Sequence, residues 1–137
     1  MKGLSLTCIF GYAAAQSAAI TANSACVTNS GGYDVYWWYY DIVTGDQSPS
    51  SGSYPIDQTR CMSMDQLANL QDGDYVQVMA HAVAGVTTTA DPALIYSSNS
   101  TEVVTFVCSG TTLGIHCAAP GYAPRPELPE LTEDFLQ

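Results

Sequence analysis

Residues 31–41 constrain the fold of this chain more than any other stretch, because they read Gly-Gly-Tyr-Asp-Val-Tyr-Trp-Trp-Tyr-Tyr-Asp. This run contains both tryptophans of the protein. Aromatic side chains fit a pleated, half-buried surface, so the run predicts a β-strand over residues 33–43. Side chains of a strand alternate between its two faces. One face, with Val35, Trp37 and Tyr39, is expected in the core. The other face, with Tyr36, Trp38 and Tyr40, is the candidate for contact with a partner.

The rest of the chain shows the same pattern of short apolar or alternating runs separated by turns rich in Gly, Ser, Asn and Asp. Six or seven such strands with almost no helical pattern predict an all-β fold, an antiparallel β-sandwich of about six to eight short strands. The predicted strands cover residues 20–28, 33–43, 58–64, 75–84, 93–96 and 101–108. In the strand over residues 75–84, Val76, Val78, Ala80 and Ala82 are predicted on one face, with Gln77 and His81 on the other. Residues 29–32 are predicted to form a turn or bulge, and residues 44–52 a polar loop. Asp65 is predicted to cap a single helical turn over residues 65–70.

The two ends of the chain differ in composition from the middle. Residues 1–19 are predicted to form a signal peptide or an apolar N-terminal segment, with cleavage after Ala15 or Ala19 in the first case. The alternative is an uncleaved first helix or strand. Residues 20–117 form the predicted sandwich domain, and residues 118–137 a Pro-rich acidic tail that favours an extended conformation.

The five cysteines support a secreted, extracellular protein. Removal of a signal peptide would remove Cys8 and leave four cysteines, an even set suited to two disulfides in an oxidising compartment. Four cysteines allow three connectivities, of which a weak preference goes to Cys26–Cys117 with Cys61–Cys108. No pair has the C-x-x-C spacing of zinc or redox sites, so neither a metal site nor another cofactor is expected.

The charge excludes some partners. The formal net charge is −10 and only three residues are basic, namely Lys2, Arg60 and Arg125. Nucleic-acid binding needs a cluster of Lys and Arg that releases counterions from phosphates, and this chain cannot assemble one. The same sign disfavours electrostatic attraction to anionic membranes.

Two motifs resemble a known family. Asn29-Ser30-Gly31-Gly32-Tyr33 and Gly110-Thr111-Thr112-Leu113 resemble the start and the end of the membrane-recognition domain of cholesterol-dependent (thiol-activated) cytolysins, which is a β-sandwich. Small stand-alone secreted proteins are similar in these motifs and in a segment like residues 54–60. The resemblance implies that Thr112 and Leu113 correspond to the sterol-recognising pair.

The resemblance also has gaps. The Trp-rich loop of the family would fall on residues 85–91, which contain no Trp, Arg or Cys. The pore-forming domains have no counterpart, so pore formation is not expected and sterol binding is a minority hypothesis. The alternative interpretation of the Gly-Thr-Thr-Leu motif is structural, with a bend and with Leu113 in the core.

No motif predicts catalysis, and the chain is not expected to be an enzyme. Asp34 and Asp41 lie seven residues apart on one strand, about 23 Å if extended, which is too far to flank one glycosidic bond. His81 is expected at the surface, and His116 has no free thiol beside it if Cys117 is in a disulfide. The Asp72-x-Asp74 pair predicts a turn, since other calcium ligands are missing.

The sequence therefore predicts a non-catalytic secreted protein that acts in binding or assembly, most simply as a structural, filament or complex subunit. The partner is expected to be protein, contacted through the N-terminal segment, the aromatic strand and the Pro-rich arm. The alternative is a recognition module that binds a glycan or a sterol-containing membrane, and a small secreted hydrolase is the least favoured class. Asn99-Ser100-Thr101 is a glycosylation sequon, which makes Asn99 a candidate acceptor in a secreted protein.

Overall fold

Strands make up almost all the regular structure of residues 18–120, which are the residues that the computed structural model describes. A single 3-10 turn (Met64–Gln66) interrupts them. Nine strands follow one another within these described residues: β1 (Ile20–Ala22), β2 (Ser24–Asn29), β3 (Val35–Asp41), β4 (Thr59–Ser63), β5 (Tyr75–Ala82), β6 (Thr87–Thr89), β7 (Leu94–Tyr96), β8 (Val103–Ser109) and β9 (His116–Ala118). The predicted segment 1–19 and tail 118–137 lie almost wholly outside the described residues.

The strands form two sheets. The four-stranded sheet has the order β9-β8-β2-β4, and the five-stranded sheet has the order β1-β7-β5-β3, with β6 also paired to β5. The all-β sandwich-like fold is thus confirmed. The pairing is mixed, however, because β2 runs parallel to β8 and β1 runs parallel to β7. The chain crosses between the two sheets several times, and β8 returns beside β2 in the same direction instead of folding back as a hairpin.

The core lies between the two sheets and contains the predicted inner face of the aromatic strand. Val35, Trp37 and Tyr39 are fully buried, in one cluster with Val27 of β2 and Phe106 of β8. Two tyrosine hydroxyls also join the sheets: Tyr39 donates to the carbonyl of Met62 at 2.6 Å, and Tyr54 donates to that of Val27 at 2.7 Å. Each large aromatic contributes about 1.5–3 kcal/mol by burial, and its hydroxyl keeps a partner in the dry interior.

The disulfide preference was wrong. Cys26 is bonded to Cys61 and Cys108 to Cys117, with Cα atoms 3.9 and 4.0 Å apart. In each case the two cysteines lie directly opposite each other on neighbouring antiparallel strands, β2 with β4 and β8 with β9. The preferred pairs would have joined strands two positions apart in the sheet, about 9.6 Å from each other, beyond the reach of a disulfide.

Three local predictions need correction. The aromatic strand begins at Val35 and not at Tyr33, because Tyr33 belongs to the preceding turn and its hydroxyl donates to the carbonyl of Ser109. The helical turn is a 3-10 turn whose N-cap is Ser63 and not Asp65, since the Ser63 hydroxyl accepts from the Asp65 amide. Short strands β6 and β9 form where a loop and no strand were predicted.

Candidate binding surface

The outer face of the five-stranded sheet carries the predicted contact residues. Tyr36, Trp38 and Tyr40 are half-buried and alternate with the buried residues of β3. Their cross-strand neighbours on β5 are His81, Met79 and Gln77, in that order. We call these six side chains the aromatic face: Tyr36, Trp38, Tyr40, Gln77, Met79 and His81. The sequence suggested Gln77 and His81 as outward-facing, but it gave no reason to join them to the aromatic run, because strand pairing is not visible in local alternation.

Within the aromatic face, the ring of Tyr36 contacts the rings of Trp38 and His81. The ring of Tyr36 lies 5.7 Å from that of Trp38 with a 30° tilt, and 5.1 Å from that of His81. Strand β6 supplies a polar border, where the Thr87 hydroxyl bonds to Nδ1 of His81 at 2.8 Å and the Thr89 hydroxyl contacts the sulfur of Met79. The result is an apolar surface with a polar rim, as in protein interfaces.

Residues on the inner side of β3 hold this face in place. The Trp37 and Tyr39 rings pack edge to face at 5.1 Å, directly behind the outer aromatics. Burial raises the pKa of Tyr39 well above its ordinary value, because the phenolate would lose its hydration in the core. The face is therefore carried by a rigid strand, which lowers the entropy lost when it binds.

The outer edge of β3 is covered by residues 46–54, which we call the strap. The Tyr39 amide donates to the hydroxyl of Ser48 at 2.8 Å, and the Trp37 amide donates to the hydroxyl of Ser51 at 3.0 Å. The amides of the same two serines donate back to the carbonyls of Tyr39 and Trp37. Backbone bonds between Val35 and Tyr54 close one end of the strap. Serine hydroxyls thus replace a neighbouring strand and leave this edge closed to strand addition.

Asn29 fixes the turn that leads into β3. It is fully buried, and its side-chain amide donates to the carbonyls of Tyr33 at 2.6 Å and Tyr54 at 3.2 Å. Its side-chain oxygen accepts from the Gly31 amide at 2.9 Å. One side chain thereby joins the turn, the strap and the end of β2. The sequence predicted a turn here from its glycines but not this polar centre.

The basic side chain of the described residues lies away from the aromatic face. Arg60 is the one basic residue among residues 18–120. Its guanidinium lies 5.0 Å over the Tyr54 ring and donates to the carbonyl of Ser51, on the strap side of the sandwich. None of the six side chains of the aromatic face belongs to an Asp, Glu, Lys or Arg residue. In a protein of net charge −10, the aromatic face is therefore a surface from which water can be removed at a small cost in free energy.

The predicted Thr112–Leu113 pair lies elsewhere, in the loop between β8 and β9. The interpretation that placed Leu113 in the core was wrong, because this side chain is 79% exposed. The Thr112 carbonyl accepts from the Val86 amide at 2.9 Å, which joins this loop to the β5–β6 turn. Val83 and Val86 of that turn are also exposed.

The titratable candidates are dispersed. Asp34 is exposed at one end of β3, whereas Asp41 is fully buried at the other end and its Oδ1 accepts from the Val43 and Thr44 amides. Its Oδ2 is buried and has no hydrogen-bond partner in the described part of the chain. Asp72 accepts from the amide and hydroxyl of Ser98, so the predicted turn is stabilised by this contact. Residues 18–120 contain no group of three or more His, Cys, Asp or Glu arranged to hold a metal ion.

Asn99 is exposed, in the turn between β7 and β8 that the Ser100 amide closes by donating to the carbonyl of Ser97. His116 is exposed on β9, in the other sheet from His81. The structure thus brings Tyr36, Trp38 and Tyr40 together with His81, and leaves Thr112, Leu113 and Asn99 outside this cluster.

A scan against protein-family models, a search of curated proteins and a search of solved structures each found no match to this chain. The resemblance to the cytolysin domain stays a hypothesis that rests on the sequence motifs. Among residues 18–120, no helix has the length and hydropathy required to cross a membrane.

Proposed function

We propose that this protein is a non-catalytic binding and assembly subunit that contacts a second protein molecule, in the first instance another copy of itself, through the aromatic face. The observation that carries the proposal is the cluster of Tyr36, Trp38, Tyr40 and Met79 on the outside of a rigid sheet. Aromatic residues and Met are enriched in the centres of protein interfaces, and charged residues are depleted there. Trp and Tyr are also the residues that most often dominate binding energy.

The compartment in this proposal is extracellular. The two disulfides, Cys26–Cys61 and Cys108–Cys117, are compatible with it, because such bonds persist in oxidising environments. Secretion and glycosylation at Asn99 are parts of the proposal that intact-mass and N-terminal analysis of native material would test. A native chain that begins upstream of residue 16 and carries free thiols would contradict the compartment.

The test compares Trp38→Ala with a matched control, Leu113→Ala, which removes a more exposed apolar side chain from a different surface. Self-association is measured by sedimentation velocity from micromolar to millimolar protein. We expect Trp38→Ala to weaken association about 30-fold or more, the loss typical of a central aromatic, and Leu113→Ala to leave it unchanged.

Tryptophan fluorescence gives an independent readout. Trp37 is fully buried, so acrylamide should quench Trp38 selectively, and this quenching should fall as association proceeds. A protein that stays monomeric at millimolar concentration, with constant quenching of Trp38, would contradict the proposal.

A second candidate function is glycan recognition on the same rings. It is favoured by the 30° tilt between Tyr36 and Trp38, which sets two ring faces side by side, and by the hydroxyls of β6 at the border. In that case oligosaccharides would change the fluorescence of Trp38 in the monomer and the effect would be lost in Trp38→Ala. Liposome pelleting that is lost only in Leu113→Ala would instead support sterol or lipid contact at the β8–β9 loop.

A further inference from the structure

Strand β4 leaves an open hydrogen-bonding edge on the four-stranded sheet. Within residues 18–120 it pairs only with β2, and it forms the end of the strand order. The amide of Met64 donates to the carbonyl of Asn23, and the amide of Asn29 donates to the carbonyl of Gln58. In an antiparallel ladder the bonded positions alternate, so residues 60 and 62 point their backbone groups toward β2. The backbone groups of Thr59, Cys61 and Ser63 therefore point outward.

These outward groups have no hydrogen-bond partner within residues 18–120. The side chains of Thr59, Arg60, Cys61 and Ser63 are also exposed.

The other edges are managed differently. The strap satisfies the edge of β3 through Ser48 and Ser51. The edge of β9 is covered by Asp91, whose amide donates to the Cys117 carbonyl and whose carbonyl accepts from the Ala119 amide. Strands β1 and β6 also end their sheet on one side, but each is only three residues long. Proteins normally protect their edges against pairing with another chain, so β4 is the exception in the described part of this molecule.

We infer that β4 pairs antiparallel with β4 of a second copy, around a two-fold axis at Cys61, to form a continuous eight-stranded sheet. The outward groups occupy residues 59, 61 and 63, and this spacing is self-complementary. Ser63 of each copy faces Thr59 of the other, and Cys61 faces its equivalent. All three outward amides and all three outward carbonyls of each copy then find partners, which is the requirement of an isologous contact.

The side chains fit the same register. The Thr59 and Ser63 hydroxyls lie opposite each other, a favourable cross-strand pair. Arg60 lies opposite Met62, so the like charges of the two Arg60 side chains do not face each other. The Cys26–Cys61 disulfide fixes β4 to β2 and keeps the strand extended before pairing. This contact uses the four-stranded sheet and is separate from the aromatic face.

A five-residue edge gives a small interface, and each copy carries a net charge of −10. Small contacts between like-charged molecules are weak, and salt strengthens them by screening repulsion. We expect a dimer that forms at high protein concentration and increases between about 0.01 and 0.5 M salt, since the Debye length falls from about 30 Å toward a few ångströms.

The test uses Ser63→Pro with Ser63→Ala as its matched control. Ser63 has a φ of −74°, which suits proline, and its outward amide takes no part in the ladder to β2. Both variants lose the weak cap to the Asp65 amide, but only proline removes the amide that bonds to the partner. In the Trp38→Ala background, Ser63→Pro should raise the dimer dissociation constant about tenfold or more, because two symmetric bonds are lost. Ser63→Ala loses only the hydroxyl pair with Thr59, so it should raise the constant a few-fold and clearly less than Ser63→Pro.

Amide exchange by NMR on the chain with an intact Ser63 keeps the test independent of the folding of the proline variant. On raising the concentration, the Thr59, Cys61 and Ser63 amides should become protected, whereas those of Arg60 and Met62 should not change. Exchange at Thr59, Cys61 and Ser63 that does not depend on concentration would overturn the inference, as would equal dimerisation of Ser63→Pro and Ser63→Ala. If Trp38→Ala changes association but leaves the protection of the Thr59, Cys61 and Ser63 amides as it was, the result bears on the proposed function and not on the pairing of β4.

Discussion

Replacing Ser48 by alanine is expected to destabilise the protein more than its position in a polar loop suggests. The Ser48 hydroxyl accepts from the Tyr39 amide at 2.8 Å and donates to the Pro49 carbonyl at 2.9 Å. Ser48 is 8% exposed, so water cannot easily replace the lost acceptor. An unsatisfied buried amide costs about 1–3 kcal/mol. With a typical urea m-value of about 1–3 kcal/mol/M, the unfolding midpoint should fall by about 1 M.

The strap contains its own controls. Ser51 makes the equivalent bond to Trp37 but is less buried, so Ser51→Ala should cost about 1 kcal/mol or less. Ser50→Ala removes only a bond to the Gly52 amide within the strap and should be close to neutral. Unfolding is followed in urea by circular dichroism with the disulfides intact. If Ser48→Ala and Ser50→Ala unfold at the same midpoint, the strap does not stabilise β3 and the reasoning fails.

Two further predictions concern buried polar groups. Burial raises the pKa of Tyr39 and Tyr54 above the unfolded value of about 10. The stability that each neutral, buried phenol contributes to the folded state is therefore complete below pH 10, and it is lost as the pH rises from 10 through the raised pKa. The free energy of unfolding should therefore fall with pH by about 1.4 kcal/mol per unit for each tyrosine, and Tyr39→Phe should reduce that slope in alkaline urea titrations. Asn29→Ala removes three hydrogen bonds and should cost about 2–4 kcal/mol by chemical denaturation. An Asn29→Ala midpoint equal to that of Ser30→Ala, an exposed neighbour, would show that this polar centre is dispensable.

Features that depend on local alternation were predictable from sequence. The division of the aromatic run into a core face and an outer face is confirmed, because a period of two directly determines which side chains share a face. The same holds for β5, whose predicted inner residues Val76, Val78, Ala80 and Ala82 are all fully buried.

Features that depend on which strands meet were not predictable. Each disulfide joins neighbouring strands, so the pairs depend on which strands lie beside β2 and β8 in the sheet. The sequence does not determine this, because several strand orders are compatible with the same set of strands. The parallel pairing of β2 with β8 is non-local in the same way. The strap was recognised as a polar loop by composition, but composition does not say that Ser48 and Ser51 bond to a strand edge. The aromatic face was half predicted, since its β3 residues were identified and Met79 was not.

The parallel pairing of β2 with β8 has a consequence for how the chain is made. Ser24 pairs with Val103, about 80 residues later in the sequence. A ribosome synthesises about 5–20 residues per second, so several seconds pass between the synthesis of β2 and the synthesis of β8, its parallel neighbour in the sheet. The Cys26–Cys61 bond can form in that interval, whereas Cys108–Cys117 belongs to the last part of the domain. The N-terminal half is thus expected to emerge oxidised but incomplete, with Trp37 and Tyr39 still exposed, and the last two strands close the domain in one late step.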